Sequence, residues 1–275
     1  MRPPRLLRTG AVASVLRGAQ DVARLLVPVA CAGCGLPDVV LCTVCTRPLA
    51  GPLRRCEEDV PRLDRMDGSV PLPVWRVAPY TATTRELVVA WKDHGRADLS
   101  RVLQATARRA GSDVAPVVAA AVEGAPLAVV PVPSSPGARR RRGADLVAGL
   151  AGAVARGLGE AGVPARPAPV LVRRRGGRDQ VGLGARARSR NAAGSVRLRR
   201  WPHWDPAGTW CLLVDDVVTT GSTLAACDDL LADGGGLVLG AVVLAATPAP
   251  GAAVARRTIR PPGMRAAFLQ EADED

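Results

Sequence analysis

The sequence predicts an α/β fold: a doubly wound, mostly parallel sheet, preceded by a small four-cysteine module and an N-terminal helix. Three observations lead there. Apolar runs at residues 127–132, 211–214 and 237–246 alternate with helical patterns, and alternating strands and helices assemble into parallel sheets through crossover connections. Five of the seven cysteines fall within residues 31–56. The run at 211–214 ends in Asp215-Asp216 and a Thr/Gly/Ser turn that opens a helical pattern.

Taken in order, residues 5–26 read as one amphipathic helix. Val12, Val15, Leu16, Ala19, Val22, Ala23 and Leu26 recur at helical spacing and Pro28 stops it. Its expected role is to dock on the body. The cysteine module is expected over 29–60 and a polar, Pro-interrupted linker over 61–78. The main domain is expected over 79–247. Within it, residues 84–91 and 98–109 are helical, the second with Leu99, Val102, Leu103 and Thr106 on one face. Residues 127–132 form a buried strand that opens into Pro133-Ser134-Ser135. A helix over 143–158 carries Leu146, Leu150, Val154 and Leu158 in register, and residues 169–172 form a short strand. Strand 211–214, helix 222–231 and strand 237–246 complete the domain. The Pro/Ala/Arg-rich residues 248–275 are expected to be disordered.

At 275 residues and 48% hydrophobic, the chain can bury a substantial core. Aromatics are only 3%, which argues against the aromatic stacking platforms of single-strand nucleic-acid binders. Much of the charge is concentrated. Sixteen Arg stand against three acids between Arg139 and Arg200, while the whole chain nets +12. That concentration points to an anionic ligand rather than a merely solvated face. The only lysine is Lys92 and the only histidines are His94 and His203, so a P-loop is excluded and a hydrolase triad has little room. The longest apolar stretch, residues 234–246, is too short to span a membrane, which needs about 18–20 residues. Arg17, Asp21 and Arg24 break any signal-peptide core, so a cytoplasmic location is expected.

Cys31-x2-Cys34 and Cys42-x2-Cys45 are two hooks seven residues apart. Each hook can place two thiolates on one metal, and the pair can close a tetrahedral four-sulfur site. Structural zinc is favoured over redox-active pairs or unrelated thiols, because the hooks are not at a strand-to-helix junction. Cys56 is left over, while Cys211 and Cys227 read as small core residues.

The segment from Cys211 to Leu224 carries the strongest signal. At the carboxyl end of such a strand, backbone amides and the helix start converge on a phosphate. Thr219, Thr220, Ser222 and Thr223 add hydroxyls, and Gly221 lets the backbone approach closely. Asp215 and Asp216 beside them suit the vicinal hydroxyls of a ribose whose 5′-phosphate fills the turn. They can also offset a cation developing on the sugar.

Residues 212–223 resemble the 5-phosphoribosyl-1-pyrophosphate (PRPP) loop of the type I phosphoribosyltransferases at every position. The wider chain, over about residues 30–246, resembles the ComF-type competence proteins, in which a cysteine-rich zinc module precedes this fold. The matching stretches are Lys92-Asp93-His94-Gly95-Arg96; Val130-Pro131-Val132-Pro133 with the Arg139–Arg142 run; Gln180, Leu183, Arg188 and Asn191; and the loop. The chain departs from that family where Ala144, Asp145 and Leu146 follow Arg142-Gly143, and where only Cys56 stands in place of a further cysteine pair.

The resemblance implies a type I phosphoribosyltransferase sheet that binds Mg-PRPP and transfers its phosphoribosyl group with release of pyrophosphate. Asp215 and Asp216 would be the catalytic acids, and Val217, Val218, Thr219, Thr220, Gly221, Ser222 and Thr223 would hold the 5′-phosphate. Pro133, Ser134, Ser135, Arg139 and Arg142 would hold the pyrophosphate. Zinc would sit on Cys31, Cys34, Cys42 and Cys45, and residues 173–191 would form a mobile hood. The alternative is a non-catalytic accessory protein that binds single-stranded DNA and DNA-uptake proteins, using the ribose-phosphate site for sensing.

Overall fold

The computed structural model describes residues 29–61, 63, 71–134, 143–173, 196–199 and 204–248. The predicted N-terminal helix, Ser135, Arg139, Arg142, nearly all of the hood and the tail beyond Pro248 lie outside them.

Six strands make the main sheet: β1 (Arg54–Arg55), β2 (Val74–Pro79), β3 (Leu127–Pro131), β4 (Ala165–Pro167), β7 (Trp210–Val218) and β8 (Leu237–Ala246). Their order is β1-β2-β8-β7-β3-β4, and every pairing is parallel except that of β1 with β2. A separate antiparallel pair joins β5 (Leu171–Arg173) to β6 (Val196–Leu198). The long helices are α1 (Ala82–Lys92), α2 (Ser100–Val122), α3 (Leu146–Glu160) and α4 (Ser222–Asp233).

Successive side chains of β7 take opposite sides, as the pleat requires. Leu212 and Val214 join Leu87 and Trp91 of α1, Leu103 of α2 and Leu150 of α3 in one buried cluster. Cys211 and Leu213 join Leu224, Cys227 and Leu231 of α4 in the other, with Leu171 and Val196 of the antiparallel pair. The sheet is thus covered on both faces, which explains the near-continuous apolar runs of β3 and β8.

Helices α2 and α3 touch backbone to backbone. A β-carbon on Gly157 would run into the carbonyl oxygen of Arg108, and one on Gly111 into that of Val154. Ser112 Oγ donates to Gly157 O at 3.1 Å in the same contact.

Two expectations are corrected. Helix α2 runs far past residue 109, because Val114, Ala115, Val118 and Val122 continue its buried stripe, with Pro116 on the exposed side. The stretch expected as a linker over 61–78 contains β2, an inner strand. Prolines at 73 and 79 mask it in the sequence, yet they sit at its ends, where no ladder donor is lost. Pro73 O still accepts from Ala241 N at 2.8 Å. Residues after the last hook also merge into the main body: Leu49 and Leu53 pack on the first cluster, and Cys56, Val60 and Leu63 belong to the second.

From β3 the chain passes through α3 to β4 on one side, whereas the later strand β7 lies on the other side of β3. The direction of winding reverses between β3 and β7. In open parallel sheets the crevice at the carboxyl ends of two such strands is where ligands bind.

Candidate functional site

Strand β7 runs past the end of β3, whose last partner is Val214, so Asp215 to Val218 project at this crevice beside β8 alone. The turn that follows exposes Thr219 and Thr220 and buries Gly221. Gly221 adopts φ +81° and serves as N-cap of α4. No side chain caps that helix, whereas Asp145 accepts from Ala148 N at 3.2 Å at the start of α3. The first-turn amides of α4 therefore face the crevice side of the turn as available donors, with the positive end of the helix dipole behind them. Thr220 Oγ1 and Ser222 Oγ are 2.9 Å apart. Val217, Ser222 and Thr223 are half-buried, and Val218 is buried.

The two acids are not equivalent. Asp216 is 3% exposed. Its Oδ1 accepts from Val217 N at 2.7 Å, and its Oδ2 lies 2.7 Å from Lys92 Nζ at the end of α1. Asp215 is half-buried, and its Oδ1 accepts from Asp216 N at 2.8 Å. Burial and the neighbouring Asp216 charge raise the Asp215 carboxyl well above the usual range, against the pull of Lys92. The expectation of twin acids facing one ligand thus needs refining, because adjacent strand residues point to opposite faces and α1 covers one of them.

Across the crevice, Pro133 is buried and Ser134 half-buried. Arg173, at the end of β5, donates from Nε to Pro133 O at 3.1 Å. Sequence reasoning did not single out Arg173 beyond the start of the hood, and no local signal marks it. It did note Lys92 as the sole lysine.

The cysteine cluster lies at the start of α1. The Sγ atoms of Cys31, Cys34, Cys42 and Cys45 are all within 4.8 Å of one another, and Cys34 to Cys42 is 3.7 Å. Four thiolates on a tetrahedral zinc at about 2.3 Å per bond stand about 3.8 Å apart, so the set fits such an ion. Burial pushes the Cys31 thiol up, but the amides of Cys42, Gly33 and Cys34 outweigh it and bring the thiol down to about 6. Gly33 is pressed on the body: its β-carbon would meet Thr83 Cγ2 at 2.6 Å and Cys45 Sγ at 2.8 Å. Arg96 holds the hooks from below, donating to Ala30 O at 2.9 Å and Val40 O at 3.5 Å while paired to Asp98. Arg109 Nη2 donates to Leu49 O at 2.7 Å.

The remaining cysteines, Cys56, Cys211 and Cys227, are buried in the second cluster. Burial pushes the thiols of Cys56 and Cys211 up to about 12 and raises that of Cys227 as well. They are packing residues, as expected for Cys211 and Cys227.

Residues 150–257 match the family described as Phosphoribosyl transferase domain. That match includes β7, its acids and α4. Solved structures similar to the chain include a mutant hypoxanthine phosphoribosyltransferase from Trypanosoma cruzi in a ternary complex with substrates. It is 20% identical over 51% of this chain and 67% of that one, with a TM-score of 0.34. An alanine mutant from an analysis of an invariant aspartic acid in HPRTs is 18% identical over 52% and 68%, also with a TM-score of 0.34. No curated protein matches the chain. The mostly parallel sheet and the match over residues 150–257 fit the type I phosphoribosyltransferase fold. A four-cysteine cluster able to hold a metal precedes it.

Proposed function

We propose that this is a ComF-type protein that binds Mg-PRPP at residues 215–223 and transfers its phosphoribosyl group to a nucleophile. The observation that carries the reading is the uncapped start of α4 behind Gly221, directly after two acids at the sheet's switch point. Amides and hydroxyls of Thr219, Thr220, Gly221, Ser222 and Thr223 hold the 5′-phosphate, Val217 and Val218 lead the strand into that turn, and Asp215 faces the ribose. Pro133, Ser134, Ser135, Arg139 and Arg142 take the pyrophosphate. In the transfer, the bond from C1 to the pyrophosphate oxygen breaks and its electron pair leaves with pyrophosphate. A lone pair of the nucleophile forms the new bond to C1, and the nucleophile's proton passes to water. Catalysis on such a site is positioning and electrostatics, with the hood excluding water.

Two carboxylates at the cleft edge suit Mg²⁺, a hard cation that binds one or two carboxylates together with substrate phosphates. Asp215 would face it, with Asp216 held behind by Lys92, and the ion would neutralise pyrophosphate charge. The four cysteines suit zinc, which would supply folding energy to the hooks. Among the described residues no helix is long and apolar enough to cross a membrane. A cytoplasmic role in DNA uptake goes with the ComF resemblance.

The test is calorimetric titration with Mg-PRPP, followed by a screen of nucleobases and amines for PRPP-dependent pyrophosphate release. Saturable binding that Asp215→Ala abolishes is the expected result. Absent binding, or binding indifferent to Asp215→Ala, overturns the reading. Salt-sensitive binding of single-stranded DNA without any PRPP binding would favour the accessory role instead.

A further inference from the structure

Two strand registers place the last residue of β5 at the crevice. Alternate residues of a strand share a face, so Arg173 points the same way as Leu171, which is buried in the second cluster with Leu213 and Cys227. Its partner on β6, Val196, is buried there as well. Arg173 is half-buried and donates from Nε to Pro133 O at 3.1 Å. The residue before that proline, Val132, donates its amide to Val214 O at 2.9 Å, and Val214 directly precedes Asp215. One guanidinium is therefore tied, through a single turn, to the strand that carries the site. The Cys227 thiol of α4 feels both its charge and that of Asp215.

We infer that Arg173 is a further ligand-binding residue, hung by Nε on the Pro133 carbonyl so that its two Nη groups face the pyrophosphate of bound PRPP. This rests on the PRPP reading above, in which the turn from Pro133 takes the leaving group. A guanidinium carries its donors in one fixed plane, and Nε is the donor that serves Pro133. Among the described residues no carboxylate pairs with it. A planar fork anchored by one edge loses little freedom when a phosphate docks on the other, and such charge-assisted bonds are the strong kind. An ammonium could not serve both, because it is a point charge on a flexible stem. Breaking the bond from C1 moves its electron pair onto pyrophosphate, so a cation fixed there favours the transition state over the ground state.

Register, rather than sequence, singles this arginine out, since Arg174 and Arg175 follow it directly. Arg197 supplies a control on the same antiparallel pair. It stands opposite Val172, on the other face from Arg173, and is exposed.

The experiment is calorimetric titration of the full chain with Mg-PRPP, Mg-pyrophosphate and ribose 5-phosphate, for wild type, Arg173→Met, Arg173→Lys and Arg197→Met, with thermal unfolding of each. Methionine keeps the apolar stem and removes the fork. Arg173→Met is expected to weaken Mg-PRPP and Mg-pyrophosphate binding about tenfold and to leave ribose 5-phosphate within about twofold of wild type. Arg197→Met leaves all three unchanged. An equal loss for all three ligands, or no loss, overturns the inference: in the first case the side chain only shapes the turn, and in the second it does not meet the ligand. The PRPP reading stands in both. A loss in Arg197→Met as large as in Arg173→Met traces the effect to net charge and overturns the inference too. Wild type that binds none of the three takes both down. Should Arg173→Met fail to fold, Arg173→Lys decides by the same contrast, because it keeps the charge and loses the fork. A loss confined to the two pyrophosphate-bearing ligands then supports the inference, and any other pattern overturns it.

Discussion

Val60 stands where a β-carbon of Gly221 would be, and Leu63 Cγ lies 3.1 Å from the same point. A segment following the cysteine hooks therefore walls the turn that opens α4. Gly221→Ala would have to hold φ +81° and also displace Val60. A left-handed conformation alone costs a non-glycine residue about 1–2 kcal/mol. The expected outcome is lost Mg-PRPP binding and a lower urea midpoint, with helical circular dichroism retained. An unchanged midpoint would show that the turn is free to shift.

Asp215 links the site to stability through pH. Its carboxyl is raised, so the folded chain holds this proton more tightly than the unfolded chain does. Stability from this group is then full below the ordinary carboxylate pKa and falls as pH rises toward the raised value. Asp215→Asn keeps an oxygen for Asp216 N and removes the charge. At neutral pH it should unfold at a higher temperature than wild type, a gap that closes below about pH 4, while PRPP binding is lost. A variant less stable than wild type at pH 7 would contradict this sign.

Arg96→Ala removes the donors to Ala30 and Val40 and the partner of Asp98. Bonds from a charged group are worth about 1.5–3 kcal/mol each where buried, less here because the guanidinium is partly exposed. Hydrogen exchange should rise across residues 29–45 while the central strands β3 and β7 keep their protection. Uniform exchange across the chain would mean that the hooks are not docked through this side chain.

Cys34→Ser takes one sulfur from a set whose members lie within 4.8 Å of each other. Elemental analysis should fall from about one zinc per chain to well below that, since structural sites use four ligands. Wild type purified without zinc, after handling that avoids chelators, would count against the metal.

Gly157→Ala should be among the most damaging single-methyl changes. The added carbon meets the carbonyl of Arg108, which is backbone and cannot rotate away. Overpacking costs about 1–3 kcal/mol and more when backbone must move. Gly159, two residues further on the same helix, has open space for a β-carbon, so Gly159→Ala should be close to neutral. Equal thermal midpoints for the two would show that α2 and α3 are further apart than described.

Much of the architecture could be read from local pattern. Strands β3, β7 and β8 are unbroken apolar runs, and α3 and α4 show clear helical periods. What stayed hidden depends on distant neighbours. Two aspartates in a row are alike in sequence, and only the packing of α1, more than a hundred residues earlier, makes one of them interior. Strand β2 is flanked by prolines that read as a loop until β8 and β1 pair on either side of it. The carboxyl-proximal half of α2 follows a Gly-Ser step, and its helicity comes from burial against α3 rather than from its own propensities.

The contribution of Leu53, β1, Cys56, Val60 and Leu63 to the sheet and to the wall of the turn has a practical side. Anyone trimming this chain to a minimal fragment for crystallisation or library screening could remove the thiol hooks, but the cut has to fall before Leu49. Starting at Tyr80, where the obvious α/β pattern begins, would strip an inner strand and leave a sticky, unzipped flank.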